Sequence, residues 1–271
     1  MAVNVNTVYQ TVLSILNKEQ RGYLTPAEFN RVGTQVQLDI FEKYFDDLNQ
    51  QLRVPQADVD YADRVINLDE KLAIFKTFGD AEYNNTSSAP LAYFTLPTTN
   101  AYGATVDFYR LGTVVYENDK GDQIELQRLP RTDFYNIERS PLTKATKSFP
   151  TYLYENRGNV SVSGSPINSH LQNVIYVNPT SITSNIKVDY IRKPVSPIWG
   201  FTAGARGQYI FNGNYFNPAL GTGSIDFELH ESEQVNIVTR ILAYAGIIIQ
   251  DPSIVQIASQ QAQQENQRSI T

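Results

Sequence analysis

The run Gly22-Tyr23-Leu24-Thr25-Pro26-Ala27-Glu28-Phe29-Asn30 constrains the fold more than any other part of the chain, because it writes a helix start in full. Thr25 offers a hydroxyl to the amide three residues on, Pro26 sits where its missing N–H costs nothing, and Glu28 reaches back. Together they make a capping box. The pattern that follows predicts a helix over residues 26–52. Its apolar positions do not form one stripe: Phe29, Val32, Val36 and Ile40 share one side, whereas Phe41, Tyr44, Phe45, Leu48 and Leu52 lie a quarter-turn or more around the cylinder. Two packings satisfy this. Either the helix curves inside one wide core, or its first half packs within the chain and its second half against another subunit.

Val8, Val12, Ile15 and Leu16 predict a helix over residues 7–16, with a polar connection to residue 23. Residues 69–75 suit a short helical connector. The pattern then turns to strands, expected over 91–96, 106–116, 123–129, 149–154, 159–163, 174–177 and 186–192. Alternation is clearest where Ile186, Val188 and Tyr190 oppose Lys187, Asp189 and Ile191. The turn formers Asn178-Pro179-Thr180-Ser181 between the last two runs predict that these pair antiparallel. Residues 132–139 suit a short capped helix. Residues 200–223 interleave Gly and Pro with Phe201, Tyr209, Phe211, Tyr215 and Phe216, as expected of an extended loop or loose hairpin that folds back on its own sheet or touches a partner.

A helix returns over 231–249, with Val235, Val238, Ile241, Leu242, Ala245, Ile248 and Ile249 on one side and Ile237 and Tyr244 widening it. Asp251-Pro252 restarts a helix before the Gln-rich end, residues 260–271. The fold class expected is α+β: an N-terminal helical hairpin (residues 1–80) and a C-terminal helix with a polar tail (229–271) packed together, with an inserted, mainly antiparallel β domain (81–228). The helices carry more apolar surface than one neighbour covers. Phe41, Tyr44, Phe45, Leu48, Ile237 and Tyr244 are therefore the candidate subunit contacts.

Chemistry is hard to place on this chain. It has no Cys, hence no disulfide, thiolate nucleophile or cysteine metal site, which suits a reducing cytoplasm. Of its two imidazoles, His170 lies in a polar run, and His230 adjoins Glu231 and Glu233, whose place in a first helical turn is explained by the helix dipole. Asp46 with Asp47 and Asp58 with Asp60 lie in polar runs at helix ends. Gly204-Ala205-Arg206-Gly207 and Gly221-Thr222-Gly223-Ser224 lack phosphate-loop or dinucleotide spacing. No catalytic, cofactor-binding or metal-binding residue is assigned, no cofactor is expected, and the chain is not expected to be an enzyme. The net charge of -6 gives the chain as a whole no pull on phosphate backbones, and pairs such as Arg128 with Arg131 form no basic stripe. No basic segment followed by an apolar run opens the chain, and residues 241–249, the longest apolar stretch, fall well short of the roughly 20 a membrane span needs. A soluble protein without a membrane partner is expected.

The segment 22–30, the run 35–49, Tyr176-Val177-Asn178-Pro179 with Tyr190-Ile191-Arg192-Lys193-Pro194, and Ile225-Asp226-Phe227-Glu228-Leu229 ahead of the last helix resemble structural proteins of tailed bacteriophages. More narrowly, the chain resembles the ring or adaptor proteins of the head-to-tail connector in short-tailed phages, including crAss-like phages. That resemblance implies a homo-oligomeric ring in the portal–tail neck of the virion, twelvefold like the portal, assembled in the host cytoplasm. Its partners would be the portal protein and neighbouring neck or tail rings. It would enclose genomic DNA without sequence-specific binding, with no catalytic residues to carry over. The alternative, suggested by the Tyr- and Asn-rich β region and the aromatic loop, is a carbohydrate- or receptor-binding tail module.

Overall fold

A computed structural model describes residues 2–18, 24–51, 64–85, 92–97, 108–118, 120–158, 171–217 and 220–249, with 260 and 263. The expected strand over 159–163, the helix restart at 251–252 and most of the tail lie outside the described residues. The protein is α+β, with helices at both ends and antiparallel sheets between them. Contacts divide it into two units. One is Met1–Ile74 with Pro194–Thr271, the other Phe75–Lys193.

In the helical unit, Thr25 and Glu28 close their capping box. The Thr25 amide and hydroxyl donate to Glu28 Oε2 at 2.9 and 2.6 Å, and the Glu28 amide returns to Thr25 Oγ1 at 3.4 Å. Those bonds hold the Glu28 carboxyl below its usual range. Helix α2 (Pro26–Gln51) follows α1 (Val5–Lys18), which is capped by Asn4 Oδ1 accepting from the Thr7 amide at 3.0 Å. Helix α3 (Arg64–Ala73) packs on α2. A 3-10 turn, Glu231–Glu233, leads into α5 (Gln234–Ile249), which packs on both α1 and α2.

The buried face of α2 runs through Phe29, Val32, Val36, Ile40, Phe41, Tyr44 and Phe45, so both of its apolar arcs are covered within one chain. One wide core is therefore what it builds. On α5 the buried ridge is Ile237, Ile241 and Ala245, spaced four apart, whereas Val235, expected on that side, is 69% exposed. The chain returning from the β unit is sewn onto these helices by polar groups. Gln37, 1% exposed, donates from Nε2 to the Val195 carbonyl at 2.7 Å and accepts at Oε1 from the Glu228 amide at 3.0 Å. Val3 and Phe227 exchange backbone hydrogen bonds at 3.1 and 3.0 Å. These ties draw residues 194–228 into the helical unit. The β unit accordingly spans 75–193, not the expected 81–228.

The β unit holds strands β1 (Lys76–Asp80), β2 (Glu82–Asn84), β3 (Tyr93–Thr95), β4 (Phe108–Glu117), β5 (Gln123–Glu125), β6 (Gln127–Arg128), β7 (Thr151–Gly158), β8 (Leu171–Asn178) and β9 (Ile186–Arg192), with helix α4 (Arg131–Arg139) before β7. One sheet runs β1-β9-β4-β5 and the other β2-β3-β8-β7-β6. All described pairings in them are antiparallel except β6 with β7. Between β1 and β2 the chain kinks at Ala81, and between β5 and β6 at Leu126. Each kinked run starts in one sheet and ends in the other, so the two sheets join into a closed barrel-like circuit. Its interior holds Phe94, Val114, Leu126, Ile175, Ile186 and Val188.

The expected pairing of 174–177 with 186–192 is not formed. β8 pairs with β3 and β7, and β9 with β1 and β4. The reason is Ile182. It is 2% exposed and belongs to the barrel's core, so the connection crosses from one sheet to the other instead of turning back in a hairpin. β1 and β2 were not anticipated at all.

Candidate functional site

Some uncovered apolar surface lies on the helices, at Ile15 and Val235, but not at the candidate contact residues Phe41, Tyr44, Phe45 and Ile237. Phe41 and Ile237 are fully buried, Tyr44 and Phe45 nearly so, and all four are covered by their own chain. Little of their surface is left for a second subunit to bury. Leu48 is half-buried. Tyr244 is half-buried too, and its hydroxyl donates to Asp39 Oδ2 at 2.9 Å, which pushes the phenol up.

Among the exposed apolar groups of the helical unit, Phe201, Tyr209, Ile210, Tyr215 and Leu220 lie together on residues 200–223, whereas Ile15, Ile66 and Val235 stand singly on the helices. Strands β10 (Phe201–Ala203) and β11 (Tyr209–Phe211) pair as a hairpin, closed by Gly204 and Gln208 and turned at Gly207, whose φ of 77° suits a residue without Cβ. Its base is stitched by the Ser224 hydroxyl, which accepts from the Gly200 amide at 3.0 Å and donates to the Asn212 carbonyl at 2.6 Å. The hairpin stands on Trp199, 5% exposed. The Trp199 amide donates to Asn30 Oδ1 at 2.8 Å, and its Nε1–H donates to Asn6 Oδ1 at 3.0 Å. Tyr9 packs on one side of the indole at 4.5 Å between ring centroids, while Phe211 and Phe201 lie at 5.4 and 6.1 Å. An aromatic column thus runs outward from the core. It ends in Tyr209 (40% exposed) and Ile210 (49%), with Tyr215 (93%) and Leu220 (72%) on the following loop.

This arrangement can bury aromatic side chains against a partner from a fixed base, the geometry in which Tyr and Trp anchors contribute most. In the sequence Tyr209 and Tyr215 stand out as members of an aromatic loop, with nothing local that assigns them a role. The candidates fell on helices because helical periodicity marks an apolar arc without saying what covers it.

A second polar cluster sits at the start of α5. Lys71 Nζ lies 2.6 Å from Glu233 Oε1, Asn236 Nδ2 donates to Glu233 Oε2 at 3.0 Å, and the Lys71 ammonium stands 5.6 Å from the Tyr44 ring centroid. Burial alone would raise the Glu233 carboxyl, but the hydrogen bonds from Lys71 and Asn236 and the Lys71 charge hold it below the ordinary range. Burial chiefly, with the Glu233 charge, pushes the Tyr44 phenol far up. The Lys71–Glu233 pair ties α3 to the 3-10 turn that leads into α5. His230 serves as the cap of the 3-10 turn, its Nδ1 accepting from the Ser232 amide at 3.2 Å. His170, Asp58 and Asp60 lie outside the described residues. Among the described residues no group of three or more His, Cys, Asp or Glu is placed to hold a metal ion, and no helix is long and apolar enough to cross a membrane.

The fold thus defines an α+β protein whose helical unit is interrupted by a closed β unit. Neither a protein-family model nor a curated protein matches the chain.

Proposed function

We propose that this chain is a structural protein of a bacteriophage virion, one subunit of a ring in the portal–tail neck that joins head to tail and lines or seals the DNA channel. The reading rests on the resemblance carried by residues 22–30, 176–179, 190–194 and 225–229. The observation that carries the assembly part is the aromatic hairpin 201–211, which presents Tyr209 and Ile210 from a base locked to α1 and α2 through Trp199. In this reading the hairpin and the loop through Tyr215 and Leu220 form the contact to a neighbouring copy or ring, in place of the helix residues first considered. The acidic balance of the chain, net charge -6, keeps the wall of the channel from gripping phosphates, so that DNA slides.

Electron micrographs of the purified full chain, averaged for rotational symmetry, test the reading. Closed rings are expected for the wild type. A Tyr209→Asp, Ile210→Asp double variant should stay folded and fail to close them. Each aromatic anchor lost from a true interface costs about 1–4 kcal/mol. A wild type that stays monomeric at every concentration, and is absent from the portal–tail region of intact particles, would overturn it.

A further inference from the structure

The two kinks that close the barrel are not treated alike. At the Ala81 corner the Ala81 amide donates to the Ile186 carbonyl at 2.9 Å, and Pro97 fills the space beside the strand so closely that a Cβ on Gly79 would meet it at 2.8 Å. At the Leu126 corner the chain leaves β4 with the bond from the Leu126 amide to the Val114 carbonyl (2.9 Å). It joins the other sheet at once, Gln127 donating to the Pro150 carbonyl and Leu129 to the Tyr152 carbonyl at 3.0 and 2.9 Å. Beyond Val114, β4 has β9 as its strand partner and β5 no longer runs beside it. Among the described residues nothing comparable to Pro97 fills this corner. It opens as a cleft of about 430 Å3, floored by Val114, Leu126 and Tyr152 and rimmed by Thr113, Glu125, Gln127 and Arg128.

The rim holds hydrogen-bonding capacity that the described residues leave unused. Arg128 is stacked over the Tyr154 ring, 5.4 Å from its centroid, and neither Arg128 nor Glu125 enters an ion pair or a side-chain hydrogen bond among the described residues. Stacking holds the guanidinium in place while its N–H groups stay open. Both charges act on one group at the floor: burial pushes the Tyr152 phenol up, Arg128 pulls it down and Glu125 pushes it up. The inventory is a donor-only fork, an acceptor-only carboxylate, and an amide and a hydroxyl that do both.

That inventory selects for a class of ligand. An anion at Arg128 would also face Glu125, and a cation at Glu125 would face Arg128. A zwitterion would gain two solvent-exposed ion pairs, which are worth little in water. A polyol meets every group, since each hydroxyl donates and accepts, and the cleft lies within the roughly 300–1,000 Å3 of small-molecule sites. We infer that the cleft at the Leu126 corner of the barrel is a binding site for a neutral saccharide. The inference is independent of ring assembly and concerns only the β unit.

The test is the full-length chain on a printed array of neutral, acidic and amino oligosaccharides, followed by calorimetric titration with the neutral disaccharide retained best. Arg128→Met and Glu125→Ala are each expected to weaken binding about tenfold or more, and Thr113→Trp, which fills the cleft from its rim, to abolish it. The thermal midpoint should be unchanged, since these side chains are exposed. The inference is overturned if no neutral saccharide binds up to about 10 mM, if only acidic or zwitterionic compounds bind, or if folded variants bind like the wild type.

Discussion

Glu233 and Asp47 show how one cluster sets carboxylates against each other. Glu233 is held below the ordinary carboxylate value by Lys71 and Asn236, so the folded state binds its proton less tightly than the unfolded chain does. Its contribution is complete above about pH 4.5 and is lost as the pH falls through the depressed folded value. Asp47 is the reverse. Burial chiefly, opposed by the Lys43 and Lys71 charges and aided by those of Asp46 and Glu233, pushes its carboxyl up, so its ionisation costs stability as the pH rises through the raised value. Glu233→Gln should therefore lower stability at neutral pH by about 1–3 kcal/mol, with the difference fading in acid. Asp47→Asn should give a smaller gain that also fades in acid. Thermal unfolding of both variants between pH 3 and pH 7, roughly the span of carboxylate titration, checks the two signs. Neither role was legible in the sequence. Glu233 reads there as an ordinary dipole-compensating acid of a first turn, and its partner Lys71 lies 162 positions away. Gln37 was equally hidden, since a polar letter within an apolar arc does not reveal that two backbone groups of a returning segment need it.

At the scale of elements, what the sequence made legible was whatever has a local cause. The capping box of Thr25 and Glu28, the extent of α2, and the run Ile186–Arg192 all formed as read, because side chains within a few residues determine them. Strand partners were not legible, because they depend on which core a residue such as Ile182 enters. β1 escaped notice because its pattern alternates only between exposed and half-buried positions, with Phe78 64% exposed. The aromatic hairpin was seen as a segment, while its anchoring by Asn6, Asn30 and Ser224 was not. That anchoring is close-packed: a Cβ on Gly200 would lie 2.1 Å from the Gly223 carbonyl oxygen. Gly200→Ala should cost about 2 kcal/mol or more and loosen the hairpin. Because Trp199 is the one tryptophan in the chain, a red shift of its fluorescence at temperatures well below global unfolding is the expected sign. An unchanged spectrum would mean that the base of the hairpin yields at little cost.

For the whole molecule, the decisive feature is where the β unit begins and ends. Lys76 pairs with Ile191 in adjacent strands, and the Arg192 amide donates to the Phe75 carbonyl at 3.0 Å, so entry and exit lie side by side. The closed circuit leaves the unit with its own core. Residues 75–193 expressed alone are accordingly expected to fold with a cooperative thermal transition and a β-type circular dichroism spectrum. A fragment that stays disordered would mean that the circuit needs the rest of the chain to close. Two termini that meet at one point also make the barrel an exchangeable cassette. Evolution or an engineer can lengthen it, swap it or remove it through a single short splice, while the strap that Gln37 and Asn30 hold against the helices tolerates no such editing.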